Sequence, residues 1–350
     1  MHRILRSLAV STVLALVSVF GATQAVNAGG YVLTNLGTLG GSDSFGQGIN
    51  AAGVVVGQAY TSNGKLHAFL WDGAMHDLGT LGGTNSWAYA INSIGYVVGA
   101  ANTKKDATMH AFLTTRAGAM TDLGTLGGTQ SVAYGINDNG QIVGRASTAG
   151  NAATRAFLSN GRAGTMIDLG TLGGTNSQAA AINSTGQIVG DSFLAGDTLR
   201  HAFLSNGSPG AMIDLGTLGG TTSYAMSFNA TGQVAGYSTT AADSDTHAYG
   251  SNGSPSGMTD LGTLGGSSYA YGINSTGQVV GSSYLSVGTV IHAFVSSGSP
   301  GGMTDLNTLV TSGGTGWSLG VAYGINDNGQ IVGYGTFNAR LAAFLLTPTK

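Results

Sequence analysis

The sequence predicts an all-β chain: a seven-bladed β-propeller of four-stranded antiparallel blades, with the last blade closed by the N-terminal strand. Three observations predict it: a composition hostile to helix, three motifs that each recur seven times, and chain ends that carry complementary parts of one repeat. Of 350 residues, 61 are Gly and only 4 are Pro; 42% are hydrophobic, 8% are charged, the 15 acidic residues are all Asp, and there is no Cys. Without Glu, and with so much Gly, helix propensity is poor over nearly every window. The apolar content is sufficient to repay the entropy of ordering, which sets the chain apart from disordered Gly-rich sequences. The lack of Cys removes disulfide and thiol chemistry, and a formal charge of -3 offers no footprint for nucleic acid.

The first 28 residues differ from the rest. His2, Arg3 and Arg6 precede an uncharged run from Leu8 to Phe20, followed by small residues through Ala28. This is the pattern of a secretory signal peptide cleaved after Ala28, and the run is shorter than the roughly 20 residues of a bilayer span. A secreted or extracellular location is expected, with the periplasm as the other compartment, and no membrane span after signal removal. Residues 29–350 are read as a single domain.

Leu-Gly-Thr-Leu-Gly-Gly or a close variant starts at Leu36, Leu78, Leu123, Leu169, Leu215, Leu261 and Leu306, mostly 45 or 46 residues apart. Ile/Phe-Asn-x-x-Gly begins at Ile49, Ile91, Ile136, Ile182, Phe228, Ile273 and Ile325, and His-Ala-Phe or a variant falls at His67, His110, Arg155, His201, His247, His292 and Ala342. Each unit divides into four short apolar or alternating segments separated by turn residues, as at Asn183-Ser-Thr-Gly186 and Asn206-Gly-Ser-Pro-Gly210. Four strands in about 46 residues matches the length of known propeller blades. The N-terminal Tyr31–Leu36 is a fourth strand without its first three, and Ser318–Leu346 supplies three strands without a fourth. A ring lets these fragments complete one blade, whereas an open stack would leave bare edges.

The same layout predicts that the motif His neighbours the motif Asp: His67 with Asp77, His110 with Asp122, Arg155 with Asp168, His201 with Asp214, His247 with Asp260 and His292 with Asp305. On the first strand, small residues two apart, such as Gly46 and Gly48 or Ala133 and Gly135, are expected on one face against a crowded axis.

The segments His-Ala-Phe-Leu, Met-x-Asp-Leu-Gly-Thr-Leu-Gly-Gly and Ile-Asn-x-x-Gly-Gln-Ile-Val-Gly resemble the HAF family of probable extracellular repeats of bacteria, over nearly all of the chain after the signal. The resemblance implies export and a repeated β-fold, with no agreed activity. Many relatives continue into a C-terminal sorting tail; this chain stops at Lys350, which favours release over surface anchoring.

Several chemistries are weighed and set aside. Ser177, His201 and Asp214 invite a hydrolase triad, but strands one and three lie two ladder spacings apart, beyond the 2.6–3.2 Å that a nucleophile and its base need. Neither a zinc site nor another cofactor is expected, because equivalent His on neighbouring blades cannot converge. Asp243 and Asp245 lack the further oxygens that Ca²⁺ wants. The Gly-rich loops open onto strands, unlike phosphate cradles, and Trp71, Trp87 and Trp317 stand at non-equivalent sites.

Residues that differ between units are free to act locally. The links between strands two and three vary most and hold the one concentration of charge in a sparsely charged chain, so Lys104, Lys105, Asp106, Arg145, Asp191, Arg200, Tyr237, Asp243, Asp245 and Tyr284 are the candidate ligand-binding residues. The expected function is non-catalytic binding of a protein or surface glycan through these loops by a monomer. The alternatives are an enzyme acting on extracellular polysaccharide with Asp191 or Asp197 as acid/base, and a purely structural envelope or matrix component.

Overall fold

The computed structural model describes residues 30–115, 118–286 and 290–349, so the expected signal peptide lies outside the described residues. Apart from four single-turn 3₁₀ helices, the regular structure among these residues is β. A representative unit runs Gly173–Ile182, Ile188–Leu194, Arg200–Ser205 and Met212–Asp214, each strand antiparallel to the one before. The turn between its first two strands is closed by Asn183, whose N–H donates to Gln187 O and whose side-chain oxygen accepts from Gln187 N. Asn therefore does the turn-forming work that its motif position predicts.

The strands fall into five sheets of four, eight, eight, four and five strands. Seven separate four-stranded sheets were the expectation, and the difference has a simple cause. Strand one of a unit starts beside strand three of the preceding unit, and at Gln130↔Met109 and Arg200↔Thr222 the backbones come close enough to form a single parallel pairing. Each eight-stranded sheet is two antiparallel meanders joined at that point.

The five-stranded sheet contains both chain ends. Tyr31–Asn35 pairs antiparallel with Arg340–Pro348, with Asn35 opposite Phe344. A short strand, Val310–Ser312, adds parallel to its outer edge, and Tyr31 N donates to Leu309 O at 2.8 Å. Further bonds link the last unit to the first: Ser44 Oγ accepts from Ala343 N at 2.9 Å. Five further joints use the same device, with Ser86, Ser131, Ser177, Ser223 and Ser268 each accepting from the Ala of the preceding His-Ala-Phe-type motif. The motif Asn side chains form a second series. Asn50 donates to Asn92 O, Asn92 to Asn137 O, Asn137 to Asn183 O, Asn229 to Asn274 O and Asn274 to Asn326 O, and Asn326 donates back to Asn50 O.

The core lies between units rather than within them. Val143 and Ala156 of one unit pack with Leu169, Ala179, Ile182, Ile188 and Phe203 around the next, and Val332, Ala343 and Leu345 pack in the same way on Val55, Ala59 and Phe69. The space is tight enough that the Gly of Ile-Val-Gly admits no side chain: a Cβ on Gly190 would sit 2.0 Å from Gln178 O. Gly190→Ala is expected to lose several kcal/mol through forced backbone displacement, seen as a lower urea midpoint at unchanged slope.

The expectation of small residues on one face is corrected. A β-bulge separates Gly46 from Gly48, and each equivalent pair carries the same register shift. A Cβ on Gly46 would meet Val332 of the last unit, whereas one on Gly48 would meet Tyr89 O of the second. The small residues thus face opposite neighbours, because one extra residue inverts the alternation of the strand.

Candidate functional site

The bulges decide what lies on the axis. The extra residue in each unit is Gln47, Tyr89, Tyr134, Ala180, Met226, Tyr271 or Tyr323, and these seven, with Gln178, line one cavity of about 190 Å³. That all of them reach one cavity shows the first strands arranged around a common space. Sequence reading missed these positions by attending to the small residues on either side. The available signal was the residue between them, which is Tyr in four of the seven units.

Two residues earlier on strand one, and opposite it on strand two, sits the layer that forms the mouth of this space. The pairs include Val132↔Arg145, Gln178↔Asp191, Tyr224↔Tyr237, Tyr269↔Ser282 and Val321↔Tyr334. Arg145, Asp191 and Tyr237 therefore occupy one equivalent position in three consecutive units. They lie within strands and not in loops, as do Arg200 and Tyr284 at strand ends, which corrects half of the expected loop set.

Aromatic rings join this layer into a wall. Tyr224 stacks on Tyr237 at 4.7 Å between centroids, Tyr237 meets Tyr269 at 5.1 Å and Tyr271 at 6.4 Å, Tyr271 meets Tyr323 at 5.0 Å, and Tyr323 meets Tyr334 at 6.0 Å. Across the cavity Tyr89 and Tyr134 are 5.2 Å apart. Burial pushes the Tyr89 and Tyr271 phenols up to about 12 and raises Tyr134, Tyr237 and Tyr323 as well, so at neutral pH all five present O–H groups.

Charge enters this wall at three places. Asp191 is sealed from solvent, and Arg200 Nε donates to its Oδ2 at 2.5 Å, with a second contact from Nη2. Among the described residues its Oδ1 has no hydrogen-bond partner. Burial pushes the Asp191 carboxyl up to about 6 although Arg200 pulls the other way. The Arg200 guanidinium lies 4.9 Å from the Tyr224 centroid and 5.3 Å from that of Phe193. Arg145 is exposed, 5.9 Å over the Tyr134 ring, and donates to Gln178 Oε1 at 3.3 Å. A cleft of about 200 Å³ opens beside it, lined by Gln130, Ser131, Val132, Arg145, Ala146, Ser147 and Thr154.

The other expected residues serve the scaffold or the rim. Asp106 accepts from Thr84 N and Oγ, and Asp243 accepts from Thr221 N and Oγ, pinning each link onto the start of strand one in its own unit. Asp197 does the same for Thr175. These hydroxyl and backbone donors hold the Asp106 and Asp197 carboxyls below the usual range, and Asp243 is lowered by Thr239 and Thr221 in the same way. Asp245 accepts from Ser267 Oγ and Thr246 N, and is likewise lowered. Lys104 and Lys105 project from an exposed turn in which Lys105 takes a left-handed backbone, and Tyr284 is half-buried at a strand end.

The His–Asp expectation holds in five units, with Nδ1 to carboxylate distances of 2.6–2.9 Å at His67, His110, His201, His247 and His292. The Asp also accepts from the N–H two residues on, as Asp214 does from Gly216, so it braces the turn as well as the strand. Arg155 departs from the scheme. No hydrogen bond or ion pair joins it to Asp168, and among the described residues its buried Nε has no partner. Ser177 Oγ donates to Gly170 O and accepts from Ala156 N, which places it in the inter-unit joint, away from His201.

No family model matches the chain, and no curated protein is similar to it in sequence. Among solved structures it is similar to the β-propeller domain of the Trilobed protease from Pyrococcus furiosus, described as having an open velcro topology: 8% identity, 92% of this chain and 96% of that one covered, TM-score 0.53. It is also similar to puromycin hydrolase, at 12% identity over 84% of this chain and 50% of that one, with a TM-score of 0.50. At such identities the likeness is one of architecture, and the fold is that of a β-propeller.

Proposed function

We propose that this is an exported HAF-repeat protein, a closed ring of seven four-stranded blades whose axial mouth binds a surface glycan without transforming it. Closure is supported by the Asn326-to-Asn50 and Ala343-to-Ser44 bonds and by the pairing of Asn35 with Phe344. Those contacts repeat, between the last unit and the first, the joints that link the units in between.

The observation that carries the binding reading is the tyrosine-lined cavity with Gln47, Gln178 and Arg145 at its edge. Aromatic faces accept the apolar faces of sugar rings, while phenol, amide and guanidinium donors meet hydroxyls. Such convergence of few polar groups on an apolar concavity is the usual form of a small-ligand site. The two carboxylates offered for acid/base chemistry are engaged elsewhere: Asp191 is buried against Arg200, and Asp197 caps Thr175. The binding surface thus moves inward from the loops to the strand layer they surround, leaving Lys104 and Lys105 on the rim.

Titration of the secreted protein with a panel of oligosaccharides tests this. Binding is expected, weakened about tenfold or more by Tyr134→Ala or Tyr271→Ala and little changed by the double Lys104→Ala, Lys105→Ala variant. Oligosaccharide affinity indifferent to both tyrosines, or absent altogether, defeats the proposal.

A further inference from the structure

We infer that the glycan carries a carboxylate, as a uronic acid does, and that Arg145 reads it. The inference rests on the glycan-binding reading and adds the class of sugar. Its basis is the charge left over at the mouth. Arg200 and Asp191 neutralise one another through the bonds already described, and the eight residues lining the 190 Å³ cavity carry no formal charge. Arg145 remains. Among the described residues its side chain makes a single hydrogen bond, the 3.3 Å contact with Gln178 Oε1, although a guanidinium has five N–H donors in a planar fork. The full chain bears a formal charge of -3, so an exposed, under-used cation beside the axial cavity is a local feature and not part of a general basic surface.

Two further details fit a carboxylated ring. The Arg145 guanidinium carbon lies 5.9 Å from the Tyr134 centroid, and that ring is itself part of the cavity lining. A pyranose held in the cavity beside Tyr134 therefore brings an exocyclic carboxylate within the reach of Arg145, where a bidentate pair forms. The 200 Å³ cleft that Arg145 also lines, with Ser131, Ser147 and Thr154, provides room for a neighbouring sugar of the same chain. Gln178 then exchanges its long bond to Arg145 for a sugar hydroxyl.

The test compares oligogalacturonate with its methyl ester and with a sulfated oligosaccharide of equal length, by calorimetry on the mature protein. The acid is expected to bind about tenfold or more tightly than the ester, with affinity falling as salt is raised. Arg145→Ala should abolish the preference, so that acid and ester bind with the same reduced affinity, and Arg145→Lys should restore part of it as a point charge. Since Arg145 is exposed, circular dichroism melts of its variants should overlay that of the parent. Equal affinity for acid and ester, or a preference that survives Arg145→Ala, overturns this inference while leaving glycan binding intact. Preference for the sulfated sugar over the acid also overturns it. Failure of all three ligands to bind overturns the inference, and it takes the glycan reading with it only when the oligosaccharide panel also shows no binding.

Discussion

Removal of residues 30–36 is expected to lower the melting temperature by about 10 °C or more and to make the protein prone to aggregation. The segment contributes Tyr31, Leu33 and Leu36, which are 1%, 6% and 4% exposed. At about 1.5–3 kcal/mol for each buried side chain, their loss is comparable to the whole stability of many domains. It also strips the edge of Arg340–Pro348, where Leu341 to Leu346 are all apolar, and leaves Val310–Ser312 without a strand partner among the described residues. A control separates this topological role from mere loss of mass. Thr349 N donates to Gly30 O at 3.0 Å and Tyr31 lies opposite Pro348, so the two ends already form an unlinked hairpin. Joining them through an Asn-Gly turn and opening the chain in the exposed link at 62–65 should preserve stability, because every strand keeps its neighbours. Thermal melts of the truncated, permuted and parental chains check this. A truncated chain that melts with its parent would show that the N-terminal strand completes nothing.

The repeat architecture was legible because it is written in spacing. The Leu, Asn, Ser and His positions recur at intervals that only a repeated meander satisfies, and in the structure each makes the same bond in unit after unit, as Ser86, Ser131 and Ser177 do. The site was less legible because it depends on exceptions. A bulge at Tyr134 or Tyr271 adds one residue and exchanges the faces of the strand, which periodicity of two cannot anticipate. Arg145, Asp191 and Tyr237 read as loop because charged and polar residues are rare in buried strands; their strand is covered on its next ladder by Ala156, Ala202 and Ala248, whose small side chains leave room for them. The Arg155–Asp168 pair failed for a related reason: a guanidinium on a longer stem than imidazole does not terminate where His Nδ1 does, and its Nε is left buried short of the carboxylate.

The largest electrostatic effect is expected at Asp191. Its folded-state carboxyl is raised to about 6 by burial, so between the ordinary Asp range and pH 6 the folded protein binds a proton that the unfolded chain has released. Stability from this group is complete below pH 4 and is lost as pH rises through 6, by roughly 2–3 kcal/mol over the window, and is level beyond it. Asp106, Asp197, Asp243 and Asp245 act with the opposite sign: held low by Thr and Ser donors, they contribute stability that is lost as pH falls below the ordinary Asp range. Urea unfolding should therefore show maximal stability near pH 4 to 5 and a declining limb up to pH 6 or 7. Asp191→Asn should remove that limb. Arg200→Met should steepen it and extend it to higher pH, costing about 3–5 kcal/mol at pH 7.5, because a buried carboxylate then has neither counter-ion nor donor. The double variant should regain most of that loss, since the pair is worth little against a neutral replacement while either half alone is costly. Parent and Asp191→Asn profiles that coincide from pH 4 to 7 would mean that Asp191 titrates as a solvated carboxylate, and its burial against Arg200 would have to be abandoned.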